Sequence, residues 1–232
     1  MKMLMSSIII YLVYRVVKVA YRKWKFSLLN PLLISPIILI IFIGIIDVPA
    51  NEFISNSKWV THMLGPATVA FAIPIYKNYH LIKKYSSIIL LSIITGTLTA
   101  VFSTFLLALI VHLKPNLILS VVPRSITVPI AIEVSKEIGG LPVLTTVFAI
   151  LTAIIGSIIG PLALKWFSIK TPIARGLALG VGAHGVGTAK AKEYGEQEFT
   201  FSTLGMILAA LVTMIWGNSL IPFIEKISNL SS

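Results

Sequence analysis

The sequence predicts an all-α polytopic membrane protein of about six to eight hydrophobic segments, two of them broken or re-entrant. Three observations carry this reading. Apolar residues make up 56% of the chain and charged residues 12%, against about 25% charged in a soluble domain, and the mean hydropathy is +0.95. The charges are clustered, so long apolar runs remain between them. Glycine, proline and hydroxyl residues interrupt some of those runs and leave others smooth. The longest polar stretch, about a dozen residues, is too short to bury a core of its own, so residues 1–232 read as a single integral membrane domain.

The elements follow in order, at roughly 3–20, 31–48, 60–76, 86–111, 115–134, 141–166, 172–190 and 200–225. The first is apolar and runs into Arg15, Lys18, Arg22, Lys23 and Lys25 rather than into a small-residue cleavage site. It therefore reads as a retained span and not as a signal peptide. Segments 31–48, 86–111, 141–166 and 200–225 are smoothly apolar spans. Segments 60–76, 115–134 and 172–190 are interrupted, the first by Gly65 and Pro66.

Lys and Arg gather in cytoplasmic loops of membrane proteins. The stretches 15–25 and 77–84 hold basic residues and no acid, whereas 47–58 holds Asp47 and Glu52 against Lys58. This places 15–25 and 77–84 in the cytoplasm and the N-terminus outside. Residues 165–175, with Lys165, Lys170 and Arg175, face the cytoplasm only if 115–134 enters and leaves on one side. Charge bias thus favours a re-entrant 115–134, and the same logic lets 172–190 re-enter from the cytoplasmic side.

Lys136-Glu137-Ile138-Gly139 recurs as Lys192-Glu193-Tyr194-Gly195, each copy after an interrupted segment that itself follows one long span. With one crossing per unit, 86–140 and 141–198 would be inverted copies between N-terminal spans (1–85) and a C-terminal span (199–232). That is the layout of many secondary transporters, in which broken elements from both halves meet near the midplane. Chance recurrence in a biased composition is the competing reading.

Two stretches carry candidate chemistry. Non-helical backbone at membrane depth is tolerated only where protein or a water-filled cavity surrounds it. Residues 180–188 hold Gly185, Gly187, His184 and Thr188, with Lys190 just beyond. Small residues there expose N–H groups that could hold an anion; close helix packing explains the glycines but not His184, Thr188 and Lys190. Pro123 and Pro129 bracket Arg124, Ser125 and Thr127. An intramembrane Arg is a functional hypothesis by default, and a guanidinium grips a carboxylate bidentately. The competing reading is an Arg that snorkels to lipid phosphates. Glu133 and Glu193 are candidates for proton coupling, against the simpler reading of solvated charges paired with neighbouring lysines.

The remaining composition excludes more than it suggests. A net charge of +11 reads as loop bias rather than nucleic-acid binding. The absence of cysteine removes disulfides and thiolate sites, and His62, His80, His112 and His184 show no metal-ligand spacing. No nucleotide loop and no hydrolase motif is present, so neither an enzyme nor a cofactor is expected.

The stretch PRSITVPIAIEVSKEIGGLPVLTTVFAILTAIIGSIIGPLALK, followed by ARGLALGVGAHGVGTAKAKEYGEQEFTFSTL, closely resembles the LrgB/CidB family of bacterial membrane proteins. LGPATVAFAIPIYK (64–77) and SLLNPLL near residue 30 also fit, so the resemblance covers nearly the whole chain. Family members usually carry Lys where Arg124 stands, Thr where Val128 stands and Arg where Lys190 stands, and Gly-Ala in place of Phe199-Thr200.

The resemblance implies two competing functions. One is transport of small monocarboxylates of the pyruvate, glycolate or lactate type, as in bacterial pyruvate facilitators and the plastid glycolate/glycerate translocator. The other is antiholin-like control of murein hydrolase activity and autolysis. Both imply the bacterial cytoplasmic membrane and a small LrgA/CidA-like membrane partner. A homodimer is expected because two-fold dimers are the commonest oligomers.

Overall fold

The computed structural model describes residues 2–24, 31–63, 66 and 69–230, and every regular element among them is helical. The chain divides into two compact units, Met1–Ile73 and Pro74–Ser232.

In the first unit, α1 (Lys2–Trp24) packs on α2 (Pro31–Ile45), followed by the short α3 (Ala50–Asn56) and α4 (Lys58–His62). At 23 residues, α1 is about 34 Å long, enough to cross a hydrocarbon core of about 30 Å. Arg15 and Lys18 lie 5.9 and 5.4 Å from the ring centroids of Tyr11 and Tyr14, one turn earlier, so aromatic faces cover the two cations at this depth. Helix α2 contains Pro36 and stops short of the expected residue 48, the chain turning through Asp47 with φ 52°. Four residues of the interrupted segment expected at 60–76 (Leu64, Gly65, Ala67 and Thr68) lie outside the described residues, as does 25–30 with Lys25 and most of the SLLNPLL match.

The second unit holds α5 (Ala72–Lys77, which begins at the boundary), α6 (Tyr79–Lys84) and the 25-residue α7 (Ser86–Ile110). Then come α8 (Pro115–Val121), a 3-10 turn (Val122–Ser125), α9 (Val128–Glu137), the 25-residue α10 (Pro142–Trp166), α11 (Pro172–Ala191) and α12 (Glu196–Leu230). Together with the α1 stretch Leu4–Trp24, the helices Ser86–Ile110, Pro142–Trp166 and Glu196–Trp216 are long and apolar enough to cross a membrane, and Ile34–Ile45 is a shorter apolar helix. The outer faces of α7 and α10 present Leu91, Leu106, Leu107, Val143, Val147 and Ile155, the surface a lipid-facing helix requires.

The segment 115–137 is a re-entrant hairpin. The hydroxyl of Thr145, in the first turn of α10, donates to the carbonyl of Ser120 in α8 (2.9 Å) and lies 2.7 Å from Ser135 Oγ in α9. The Leu141 N–H donates to Ser120 Oγ (2.7 Å). The last turn of α8, the end of α9 and the start of α10 therefore share one depth, and the chain leaves on the side it entered. This buried hydroxyl network satisfies the groups that the fold removes from water.

The segment 172–191 is a second hairpin, entering from the opposite end. Its helical run breaks at Ala183 (φ −139°, ψ 17°) and His184 (φ 34°, ψ −120°). Beyond the break the chain folds back. The backbone at Gly187 rests on the carbonyl of Leu179, where any Cβ would collide, and the Arg175 guanidinium lies 5.6 Å from the Tyr194 ring centroid. A straight helix would hold residues 179 and 187 about 12 Å apart.

Both long spans end alike. After α7 the chain turns at His112 (φ 55°), with Leu113 N–H bonded to Ala108 O; after α10 it turns at Ser168 (φ 53°), with Ile169 N–H bonded to Leu164 O. Each is a left-handed cap with its six-to-one hydrogen bond, and each is followed by a proline, Pro115 or Pro172, that starts the next hairpin at a position where no N–H is needed. The fold is thus span, hairpin, span, hairpin, span, with the hairpins entering from opposite ends of α10.

This topology sorts the charges. The end of the second unit that carries α6, the α10–α11 turn and the start of α12 holds eight Lys/Arg (Lys77, Lys83, Lys84, Lys165, Lys170, Arg175, Lys190, Lys192) against three Glu (Glu193, Glu196, Glu198). At the other end, the α7–α8 and α9–α10 turns with the flanking last turn of α9 hold two of each sign, Lys114 and Lys136 against Glu133 and Glu137. The basic end shows the charge bias expected of a cytoplasmic face.

Candidate substrate site between the hairpins

The first hairpin turns where proline forbids regular helix. Pro123 lacks an N–H, and Pro129 sits in the first turn of α9, where no backbone N–H is needed. The chain therefore passes through a 3-10 turn into extended backbone at Ile126 (φ −122°, ψ 171°) and Thr127 (φ −61°, ψ 138°) before α9 begins. Arg124 sits in this apex. Its Nε donates to Thr104 Oγ1 of α7 (3.0 Å) and its Nη1 to Thr152 Oγ1 of α10 (3.2 Å). Thr152 lies ten residues into α10, about 15 Å from that helix's start, so the guanidinium is near mid-membrane. Both described partners are neutral hydroxyls; the ion pairs among the described residues join Lys136 to Glu133 and Lys190 to Glu193. Arg124 therefore carries an uncompensated positive charge, and a guanidinium has five N–H donors, of which these two are engaged.

The second apex meets the first. His184 is 4% exposed, its imidazole faces the backbone of Ala149 and of Arg124, and its Nε2 has no hydrogen-bond partner. Its positive φ is a conformation that residues with a Cβ rarely adopt, at a cost of about 1–3 kcal/mol. The contacts form a ladder along α10: Thr145 with the first hairpin, Ala149 with His184, Thr152 with Arg124, Gly156 with Ala183 and Gly160 with Leu179. The two apexes meet between residues 149 and 156, the middle of the 142–166 span. In each hairpin the returning half-helix starts at the apex, so two helix N-terminal ends, the positive ends of the helix dipoles, lie at this depth.

A cavity of about 380 Å³ adjoins the junction. Arg124, Thr152, Gly156, Gly160, Gly182 and Ala183 line it, with aliphatic side chains of α10 and α11 completing walls that are mostly apolar. Its size falls within the range of small-molecule sites. One guanidinium among apolar walls can neutralise one negative charge and leaves the rest of a ligand to pack by shape.

Of the residues expected from the sequence, Arg124 and His184 come together at the junction. Ser125 and Thr127 lie in the same apex, and their hydroxyls make no hydrogen bond among the described residues. Gly185 is exposed beside the break. Gly187 and Thr188 point elsewhere. Gly187 packs on Leu179, and Thr188 Oγ1 lies 3.0 Å from Ser202 Oγ and 3.8 Å from Met206 Sδ on α12. Lys190 pairs with Glu193 (2.7 Å) where the second hairpin exits, and Glu133 pairs with Lys136 (2.8 Å) at the opposite end; none of these charges reaches the junction. Sequence reading did not single out Thr104 and Thr152, because one hydroxyl in an apolar run commonly bonds its own helix, as Thr104 also does to Ala100 O.

The family model described as LrgB-like family matches residues 9–223. The uncharacterized protein YwbG of Bacillus subtilis (strain 168) is 43% identical over 220 residues, 95% of this chain and 98% of the relative. The holin-like protein CidB of Staphylococcus epidermidis (strain ATCC 12228 / FDA PCI 1200) is 37% identical over 213 residues, 92% of each chain. The holin-like protein CidB of Staphylococcus aureus (strain N315) is 34% identical over 212 residues, 91% of this chain and 93% of the relative. No solved structure matches the chain.

Proposed function

Because the chain belongs to the LrgB-like family, we propose that it is a carrier of small monocarboxylates, of the pyruvate, glycolate or lactate type, in the bacterial cytoplasmic membrane. The observation that supports this reading is the mid-membrane guanidinium of Arg124, bonded to two neutral hydroxyls and adjoining a mostly apolar cavity. An isolated charge at the centre of a bilayer costs about 2.5–3.5 kcal/mol even on insertion scales. A monoanion that enters the cavity neutralises it through a paired hydrogen bond, with further donors from the Ser125 and Thr127 hydroxyls and the N–H groups of the second apex. The units 86–140 and 141–198 then act as inverted halves around one site. The protein works by binding and passage, without a chemical step or cofactor, as a homodimer joined by a small LrgA/CidA-like membrane subunit.

The holin-like character of the CidB relatives favours a second reading more directly than transport: the antiholin-like control of murein hydrolase activity and autolysis that the family resemblance implies. Uptake of labelled pyruvate into proteoliposomes, with and without the small partner, separates the two. Saturable uptake supports transport. Uptake at the rate of empty liposomes under both conditions, together with altered lysis on deletion, supports the second reading.

A further inference from the structure

We propose that Gly182 sets the size of anion that the cavity beside Arg124 admits. The inference rests on the carboxylate-carrier reading and adds to it a residue that determines specificity.

Three glycines border the cavity, and they are there for different reasons. A Cβ at Gly156 would stand 2.7 Å from Ala183 Cβ, and one at Gly160 would stand 2.8 Å from Leu179 Cδ2. Both lie at the contact of α10 with α11 and let the two helices approach. Gly182 has no such neighbour, since nothing lies within 4 Å of the position its Cβ would take. Its backbone does not demand glycine either; the break begins one residue later, at Ala183, and the positive-φ glycine among the described residues is Gly139. Neither packing nor conformation therefore accounts for a missing side chain at 182. What lies beside this position is the cavity, which Gly182 lines together with Arg124.

A side chain at 182 would occupy the space that the body of the anion takes once its carboxylate is on the guanidinium. The walls there are mostly apolar, so they discriminate by volume rather than by hydrogen bonding. A change of one methylene in an apolar pocket shifts selectivity about 10–200-fold. Gly182→Val, which adds three carbons, should exclude longer anions and spare the shortest.

The test uses the full chain in proteoliposomes and straight-chain carboxylates from acetate to hexanoate, with pyruvate alongside. The parent is expected to carry anions up to some chain length. In Gly182→Val that limit should move to a shorter chain, kcat/KM for the longest accepted anion falling about tenfold or more, while acetate changes little; Gly182→Ala should lie between. Because the chain has no cysteine, Gly182→Cys carries a unique thiol, which a small water-soluble methanethiosulfonate should label and which excess carboxylate should protect. An unchanged chain-length profile in Gly182→Val, an equal loss of every anion, or a thiol that does not label overturns the inference while leaving the carrier reading in place. A parent that carries none of the anions overturns the carrier reading, and the inference falls with it.

Discussion

Replacing Arg124 with alanine should separate binding from stability. On the binding side, the substitution removes the charge and the paired donors that hold the carboxylate. Losing one hydrogen bond to a charged group costs about 1.5–3 kcal/mol, or roughly ten- to a hundredfold in Kd. On the stability side, two terms oppose each other. The protein loses the bonds from Nε to Thr104 and from Nη1 to Thr152, but it no longer holds a bare charge at mid-membrane, itself a cost of about 2.5–3.5 kcal/mol. Thr104 keeps its bond to the Ala100 carbonyl at 2.6 Å, so the substitution does not strand that hydroxyl. The terms are of similar size, and the melting temperature in detergent should move by only a few degrees, about 2–4 °C per kcal/mol for a chain of this length. Arg124→Lys keeps the charge and loses the fork, so its affinity should fall between the two. The assay is equilibrium binding of labelled pyruvate to purified protein, beside a thermal melt of the same samples. Unchanged affinity in Arg124→Ala would refute the carboxylate assignment, and collapse of the melt would show that the guanidinium serves the fold instead.

The hairpin topology places Lys136 and Lys170 on opposite sides of the membrane. An impermeant thiol reagent added to intact cells should label Lys136→Cys and leave Lys170→Cys unlabelled; labelling of both from outside would refute the re-entrant first hairpin. At the second apex, His184→Gly should be more stable than His184→Ala by about 1–2 kcal/mol, because glycine adopts φ 34° freely and alanine does not. Equal thermal melts for the two variants would remove the argument for a strained break.

The breaks were legible because their causes are local. Pro123, Pro129 and the run Gly180 to Thr188 disturb a helix wherever it lies, and the structure turns the chain within both stretches. The re-entrant path was legible from Lys165, Lys170 and Arg175, since charge bias depends on which side a loop occupies and not on packing. The partners of Arg124 were not legible. Thr104 precedes it by 20 residues and Thr152 follows it by 28, and only the opposed entry of the two hairpins brings them to one depth. Lys190 misled for the converse reason. It is six residues from the break in sequence, but its half-helix carries it away from the apex, where Glu193 one turn later offers a nearer partner.

The ladder along α10 makes this helix a gauge shared by two parts of the chain that never follow one another. Ala149, Thr152 and Gly156 stand three and four residues apart and so line one stripe. Within two turns that stripe touches an element entering from one side of the membrane and another entering from the other. Any added bulk there, such as a methyl at Gly156 that would meet Ala183 Cβ, shifts the second apex against a first apex held by the same helix. Changes in either hairpin therefore have to remain compatible with a third segment in which neither is encoded. The narrowest tolerance to substitution in this chain should fall on those two turns, rather than on the charged residues that first draw the eye.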